Sequence, residues 1–252
     1  YKKKIFNNFK LIFFYLLISS IAITMSGERV AFFNLSLFLI FLSIILLTMN
    51  KKYFLSIFIL LFLLGSLIFT NSKIYNRLIN DTLIGMGIKD NYEQIDKHLA
   101  VNKDFIIFTP HHTAHYLSAY KMFVKNPFFG VGPKNFRLKC AEPAYFIENA
   151  CSTHPHNTYL QLLSEGGIFL TLVIFSFFLY STFFLFKSLK NFLSFRNNVS
   201  ILRYFIFASI IINIMPLIPS GNFFNNWISI VYFIPIAFML IPKNTLQDAN
   251  AS

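Results

Sequence analysis

The sequence predicts an all-α, polytopic membrane protein with about six transmembrane helices and one large loop on the non-cytoplasmic side. Three observations predict it. Of the 252 residues, 56% are hydrophobic and only 13% are charged, against about 25% charged in a soluble domain. The apolar residues gather in runs close to the ~20 residues that cross a bilayer as a helix. The basic residues bracket those runs rather than covering one soluble face, so the net charge of +12 points to membrane orientation and away from nucleic acid.

The runs are residues 5–25, 30–49, 53–70, 157–186, 201–219 and 226–242. The third and the last two are slightly short, which tilt and snorkelling flanks absorb. The fourth is long and carries Glu165-Gly166-Gly167 early, which puts its first two turns in the interface. The division that follows is three spans over 1–70, a loop over 71–156, three spans over 157–243 and a polar cytoplasmic tail over 244–252. The chain opens Tyr1-Lys2-Lys3-Lys4, with no Met and no small-residue cleavage site. It therefore reads as a C-terminal fragment with earlier spans upstream, and not as a signal peptide.

Charge sets the orientation. With the N-terminus inside, the inner segments hold Lys2, Lys3, Lys4, Lys10, Lys51, Lys52, Lys187, Lys190, Arg196, Arg203 and Lys243 against the single acid Asp248, a net +10. The outer segments hold the remaining eleven basic residues and nine acids, a net +2. The positive-inside bias then places 71–156 on the periplasmic or exterior side.

That loop is too long for a simple connection. Ile74 to Ile95 mixes polar and apolar residues in the manner of short helices. Ala114 to Val124 reads as an amphipathic helix with Tyr116, Tyr120 and Phe123 at helical spacing. Lys125-Asn126-Pro127 ends it, and Phe128-Phe129-Gly130-Val131-Gly132-Pro133 forms a turn. Gly130 and Gly132 lack the βαβ setting of a dinucleotide site. They position Lys134 and Arg137, which either bind phosphate or sugar or are simply solvated. Cys140 and Cys151 fall in the same loop; they pair in an oxidising compartment, remain free, or hold a metal with nearby histidines.

The candidates for chemistry begin with His154-Pro155-His156-Asn157. Ser152 or Thr153 is a good N-cap and Pro155 fits a first helical turn. His156 then starts a membrane helix on its outer side, where free N–H groups favour an anion such as phosphate. An imidazole there can act as base or donor, or it merely caps. In Ser26-Gly27-Glu28-Arg29, Arg29 opens a span at its outer end. It is either a snorkelling anchor or a diphosphate ligand. His111, His112 and His115 can be drawn with His154, His156 and the cysteines as a metal site. No acidic ligand is placed to help and the spacings match no known site, so no metal is expected. Glu165 falls half a turn out of phase with His156 on a helix. It is expected to satisfy donors between helices, with Gly166 and Gly167 allowing close packing.

Two segments carry a resemblance. His-Asn-Thr-Tyr-Leu-Gln-Leu-Leu-Ser-Glu-Gly-Gly from His156, and Asn-Pro-Phe-Phe-Gly-Val-Gly-Pro-Lys-Asn-Phe from Asn126, resemble the signature of the O-antigen ligase and polymerase family. The Ser26–Arg29 turn is similar to the family's Ser-Arg turn. The resemblance implies a GT-C-like membrane glycosyltransferase of the bacterial inner membrane, with no metal or cofactor and its active site facing the periplasm. The donor it implies is an undecaprenyl-diphosphate-linked glycan. The acceptor is the lipid A core for a ligase, or a lipid-linked glycan for a polymerase. His156 carries the family's catalytic His and Arg29 its diphosphate-binding Arg, with Asn157 among the substrate-binding residues. The family's second Arg is missing where Pro110 to Tyr116 stand, so His112, His115 or Arg137 must serve instead. Leu170 replaces the small or polar residue often found three positions after the second Gly.

The rival readings are a polymerase of the same family, a protein O-oligosaccharyltransferase, and a polysaccharide transporter without chemistry. A transporter places charges or broken helices at midplane. Here the polar groups gather at the outer edge, which favours an enzyme.

Overall fold

The computed structural model describes residues 9–49, 51–86, 88, 107–195, 198–216 and 218–241. The sequence readings for Lys2 to Lys4, the centre of the large loop and the tail lie outside them. The described residues form helices and turns with no strand. They fall into two units, Tyr1–Ile84 and Gly85–Ser252.

In the first unit, α1 (Phe9–Ser26), α2 (Arg29–Met49) and α3 (Lys51–Thr70) are apolar almost throughout. Leu35, Leu39, Leu60 and Leu64 form the buried seam between α2 and α3, and Leu16, Leu17 and Ile21 of α1 pack against it. The sharp reversal from α1 to α2 needs Gly27, at φ +67, where a Cβ would lie 2.9 Å from Arg77 Cγ. After α3 come α4 (Ser72–Tyr75), a π-helical turn over Asn76–Asn80 and α5 (Asp81–Gly85). Asn71 caps α4 by accepting from the Lys73 and Ile74 amides.

The second unit begins its described part with α6 (Pro110–Lys125) and α7 (Phe136–Lys139). Thr109 caps α6 and Pro110 occupies its first turn, where a missing N–H costs nothing. The helix starts earlier than Ala114, and its buried face differs from the expected one. Tyr116 is buried, but Tyr120 is exposed, and the core side is Ala114, Ser118, Ala119 and Met122. Small residues win there because the segment 140–150 packs directly on the helix: Ser118 Oγ donates to the Tyr145 carbonyl and Lys121 Nζ to that of Phe146.

The long apolar element is not one uniform helix. It runs as α8 (Thr158–Gln161), a π-helical turn (Leu162–Gly166) and α9 (Gly167–Phe195). Then follow α10 (Asn198–Asn213) and α11 (Asn226–Met239). The fifth apolar run therefore ends as helix at Asn213 rather than at 219. Pro216 and Pro219, which cannot continue a helix, and Gly221 turn 214–225 into a connecting segment. Among the described residues, Arg29–Thr48, Tyr53–Thr70 and Thr158–Ser194 are long and apolar enough to cross a membrane, and Leu11–Ser26, Ser200–Asn213 and Asn226–Met239 are shorter apolar helices. The chain is an all-helical, polytopic membrane protein.

Candidate active site

The site is built on the start of α8. Asn157, not Ser152 or Thr153, is the N-cap: its Oδ1 accepts from the Tyr159 and Leu160 amides at 3.0 and 3.1 Å. This corrects the expected helix start and also the expected anion site, since those two N–H groups are already satisfied. Asn157 Nδ2 donates to the Pro216 and Ile218 carbonyls. Its two donors and both acceptor directions are thereby engaged, and they tie the start of α8 to segment 214–225. Thr158 Oγ1 pairs with Ser220 Oγ at 2.8 Å, and the Tyr159 hydroxyl donates to the Ile214 carbonyl.

His156 stands just before this cap with φ +56, a left-handed conformation that non-glycine residues adopt at a cost. The cost is offset by what the turn joins. The Ser220 amide donates to the His156 carbonyl at 2.9 Å, and the imidazole is directed among three others. Ring centroids lie 4.2 Å away for His154, 5.2 Å for His115 and 5.7 Å for His112. Two of these rings have their tautomer fixed by carbonyl acceptors. His115 Nδ1–H donates to the Ala150 carbonyl at 2.7 Å. His154 Nε2–H donates to the Ser220 carbonyl at 3.2 Å, which leaves its Nδ1 to accept from the Thr153 hydroxyl. His112 Nδ1 pairs with Thr109 Oγ1 at 2.7 Å, and His156 Nε2 with Ser152 Oγ at 3.1 Å.

Burial lowers the pKa of His115 and of His154. Burial and then the neighbouring imidazoles hold His156 down at about 4. The ring is therefore neutral at physiological pH. Ser152 can be donor or acceptor to Nε2; when it accepts, Nδ1 of His156 is a bare base.

Glu165 supports this arrangement from below. It is fully buried in the π-helical turn. Its Oε1 accepts from the Phe136 amide and its Oε2 from Gln161 Nε2, both at 2.8 Å. Gln161 in turn donates to Asn222 Oδ1 and accepts from the Phe223 amide. The Val131 and Gly132 amides donate to the Ser164 and Glu165 carbonyls. The 126–136 turn is thus fixed on the π-helical turn, which exposes carbonyls that a plain α-helix would use internally. Gly130, at φ +66, and Gly167, at φ +74, permit the contact: a Cβ on either would lie within 2.4 Å of the opposing backbone.

Of the residues singled out from sequence, the structure brings His112, His115 and His156 together. Lys134 and Arg137 are exposed, outside the ring cluster. Arg29 lies in the first unit, half-buried, where Nη1 donates to the Asp81 carbonyl at 3.4 Å. Cys140 and Cys151 form a disulfide with Cα atoms 5.3 Å apart, next to the Ala150 carbonyl that orients His115. From sequence, His154 enters only within the His154-Pro155-His156-Asn157 motif and the metal reading, and the 214–225 segment only as an end of an apolar run. The signals for them were the His-Pro-His spacing and the Pro216, Pro219 and Ser220-Gly221-Asn222 interruption in an apolar run. Among the described residues no group of three or more His, Cys, Asp or Glu is arranged to hold a metal ion.

Fold and site together define a multi-pass membrane protein whose loop presents a cluster of imidazoles at the head of a spanning helix. The family model described as O-antigen ligase matches residues 14–175, a stretch that contains Arg29, the whole loop, the cluster and Glu165. The chain belongs to the O-antigen ligase family. No curated protein and no solved structure matches it.

Proposed function

We propose that this protein is a metal-independent glycosyltransferase that moves a glycan from undecaprenyl diphosphate to the lipid A core at the periplasmic face of the bacterial inner membrane. The observation that supports it most is His156, held in a strained left-handed turn and kept neutral within the family's matched segment.

The reaction balances as a displacement. The acceptor hydroxyl oxygen attacks the anomeric carbon of the donor glycan. The bond from that carbon to the diphosphate oxygen breaks, and its electron pair leaves with undecaprenyl diphosphate. The hydroxyl proton passes to Nδ1 of His156 and then to water. A base held near 4 first orients the hydroxyl, and takes the proton once the forming bond has made that oxygen acidic. His112 and His115 hold sugar hydroxyls beside it. Arg29 takes the diphosphate-binding role, with Arg137 or Lys134 as the second cation. Asn157, with its amide fully engaged, serves as an anchor rather than a sugar ligand. Glu165, Gly130, Gly132, Gly166 and Gly167 keep the loop in place.

The test is the envelope of a strain lacking the gene. A ligase leaves lipid A core without polymer while polymer-length glycan accumulates on undecaprenyl diphosphate. Single repeat units on the core would reassign the protein as a polymerase. Unchanged lipopolysaccharide with unglycosylated proteins would make it a protein oligosaccharyltransferase.

A further inference from the structure

Between Lys125 and Lys134 the loop carries no charge, and its tip is two aromatic residues, Phe128 and Phe129. Their exposures are 59% and 79%. Such a pair in a water-bathed loop would normally be mobile or covered. This pair is neither. The Ile168 amide donates to the Pro127 carbonyl at 2.8 Å, the Gly130 amide to that of Asn126 at 3.0 Å and the Val131 amide to that of Ser164 at 2.8 Å. The Phe128 ring stacks on Phe169 with centroids 6.0 Å apart, and Phe129 lies 5.9 Å from the same ring.

Phe169 is itself 54% exposed, on the first turn of α9, within the span Thr158–Ser194. The uncharged stretch of α9 runs from Gly167 to Phe186, where Lys187 follows. At 1.5 Å per residue that is about 30 Å, the thickness of a hydrocarbon core. Phe169 therefore sits at the boundary of the hydrocarbon, and the two loop rings are fixed at its level. Lys134, exposed on one side of the apolar tip, is free to reach a lipid headgroup, while Lys125 on the other side lies over the Tyr145 ring, 5.7 Å from its centroid.

We infer that the Phe128-Phe129 tip is a membrane wedge: it inserts into the bilayer beside α9, with phospholipid acyl chains as its partner, and sets the height of the histidine cluster over the membrane. The inference rests on the membrane-spanning fold and not on glycan transfer.

The test uses the single tryptophan. Trp227 is replaced in a Trp227→Phe background, and Phe129→Trp adds the reporter with little change of bulk. The protein is reconstituted into vesicles of phosphatidylethanolamine and phosphatidylglycerol, with phospholipid brominated near the top of the acyl chain as quencher. A second protein, Trp227→Phe with Phe233→Trp on α11, verifies reconstitution. The expected result is that the reporter at 129 loses most of its emission to brominated lipid and little to aqueous iodide. Quenching by iodide and not by brominated lipid would put the tip in water. Insensitivity to both would mean that protein, such as a second copy of the chain, covers it. Either outcome overturns the wedge, and neither bears on catalysis.

Discussion

At the residue scale, the proposed chemistry rests on His156. Its replacement separates strain from catalysis, because Asn tolerates the left-handed turn that φ +56 requires. His156→Asn should retain the wild-type melting temperature above pH 6.5 and lose about 10²–10⁴ of the transfer rate, the usual contribution of a positioned acid or base. His156→Ala should lose activity and, having no such tolerance, also some stability. Transfer at the wild-type rate by His156→Asn in a reconstituted assay would remove His156 from the mechanism. The same residue predicts a pH dependence of stability. Its pKa is about 4 in the folded protein against 6.5 as its ordinary value, so the unfolded chain takes up the proton first. The stability is fully present above pH 6.5 and is lost as pH falls from 6.5 toward 4. His115 and His154, also lowered, act in the same direction. Melting temperature in detergent should fall over that window, and the slope should be shallower in His156→Asn.

At the scale of elements, Glu165 joins the π-helical turn to the loop. In Glu165→Gln one oxygen can still accept from Phe136, but the new amide meets Gln161 Nε2 donor to donor. A buried donor left unpaired costs about 1–3 kcal/mol, so this variant should unfold earlier in thermal scans and lose activity with the displaced loop. Unaltered melting would show that the network is not needed. The disulfide is a second clamp. It closes a short loop, Cys140 to Cys151, which by chain entropy is worth about 3 kcal/mol. It also steadies Ala150, whose carbonyl orients His115. Paired Cys→Ser replacement should therefore lower both the melting temperature and the rate. A fall in melting temperature alone would show that His115 keeps its orientation without the clamp.

At the scale of the whole molecule, the prediction concerns sidedness. From the basic residues near Lys51, Lys187 and Lys190 and the mixed charge of 71–156, the positive-inside bias predicts a loop outside the cytoplasm. Alkaline phosphatase fused after Phe146 should be active, and fused after Lys190 inactive. The reverse pattern would put the histidines in the cytoplasm, away from a periplasmic acceptor.

Sequence alone was enough for the helical membrane class, because runs of about 20 apolar residues have few other uses. It was also enough for the family, because the motifs at His156 and Asn126 are local strings. It pointed to His156 and Glu165 for the same reason. What only the tertiary structure decided is the company these residues keep. His112 and His115 lie some forty residues from His156 in sequence, and the carbonyls that orient His115 and His154 come from Ala150 and Ser220. The cap at Asn157, the π-helical turn that offers its carbonyls to Val131 and Gly132, and the small-residue face of α6 were likewise invisible. Each depends on which segment packs alongside, and helical periodicity reports that a face is buried without saying what buries it.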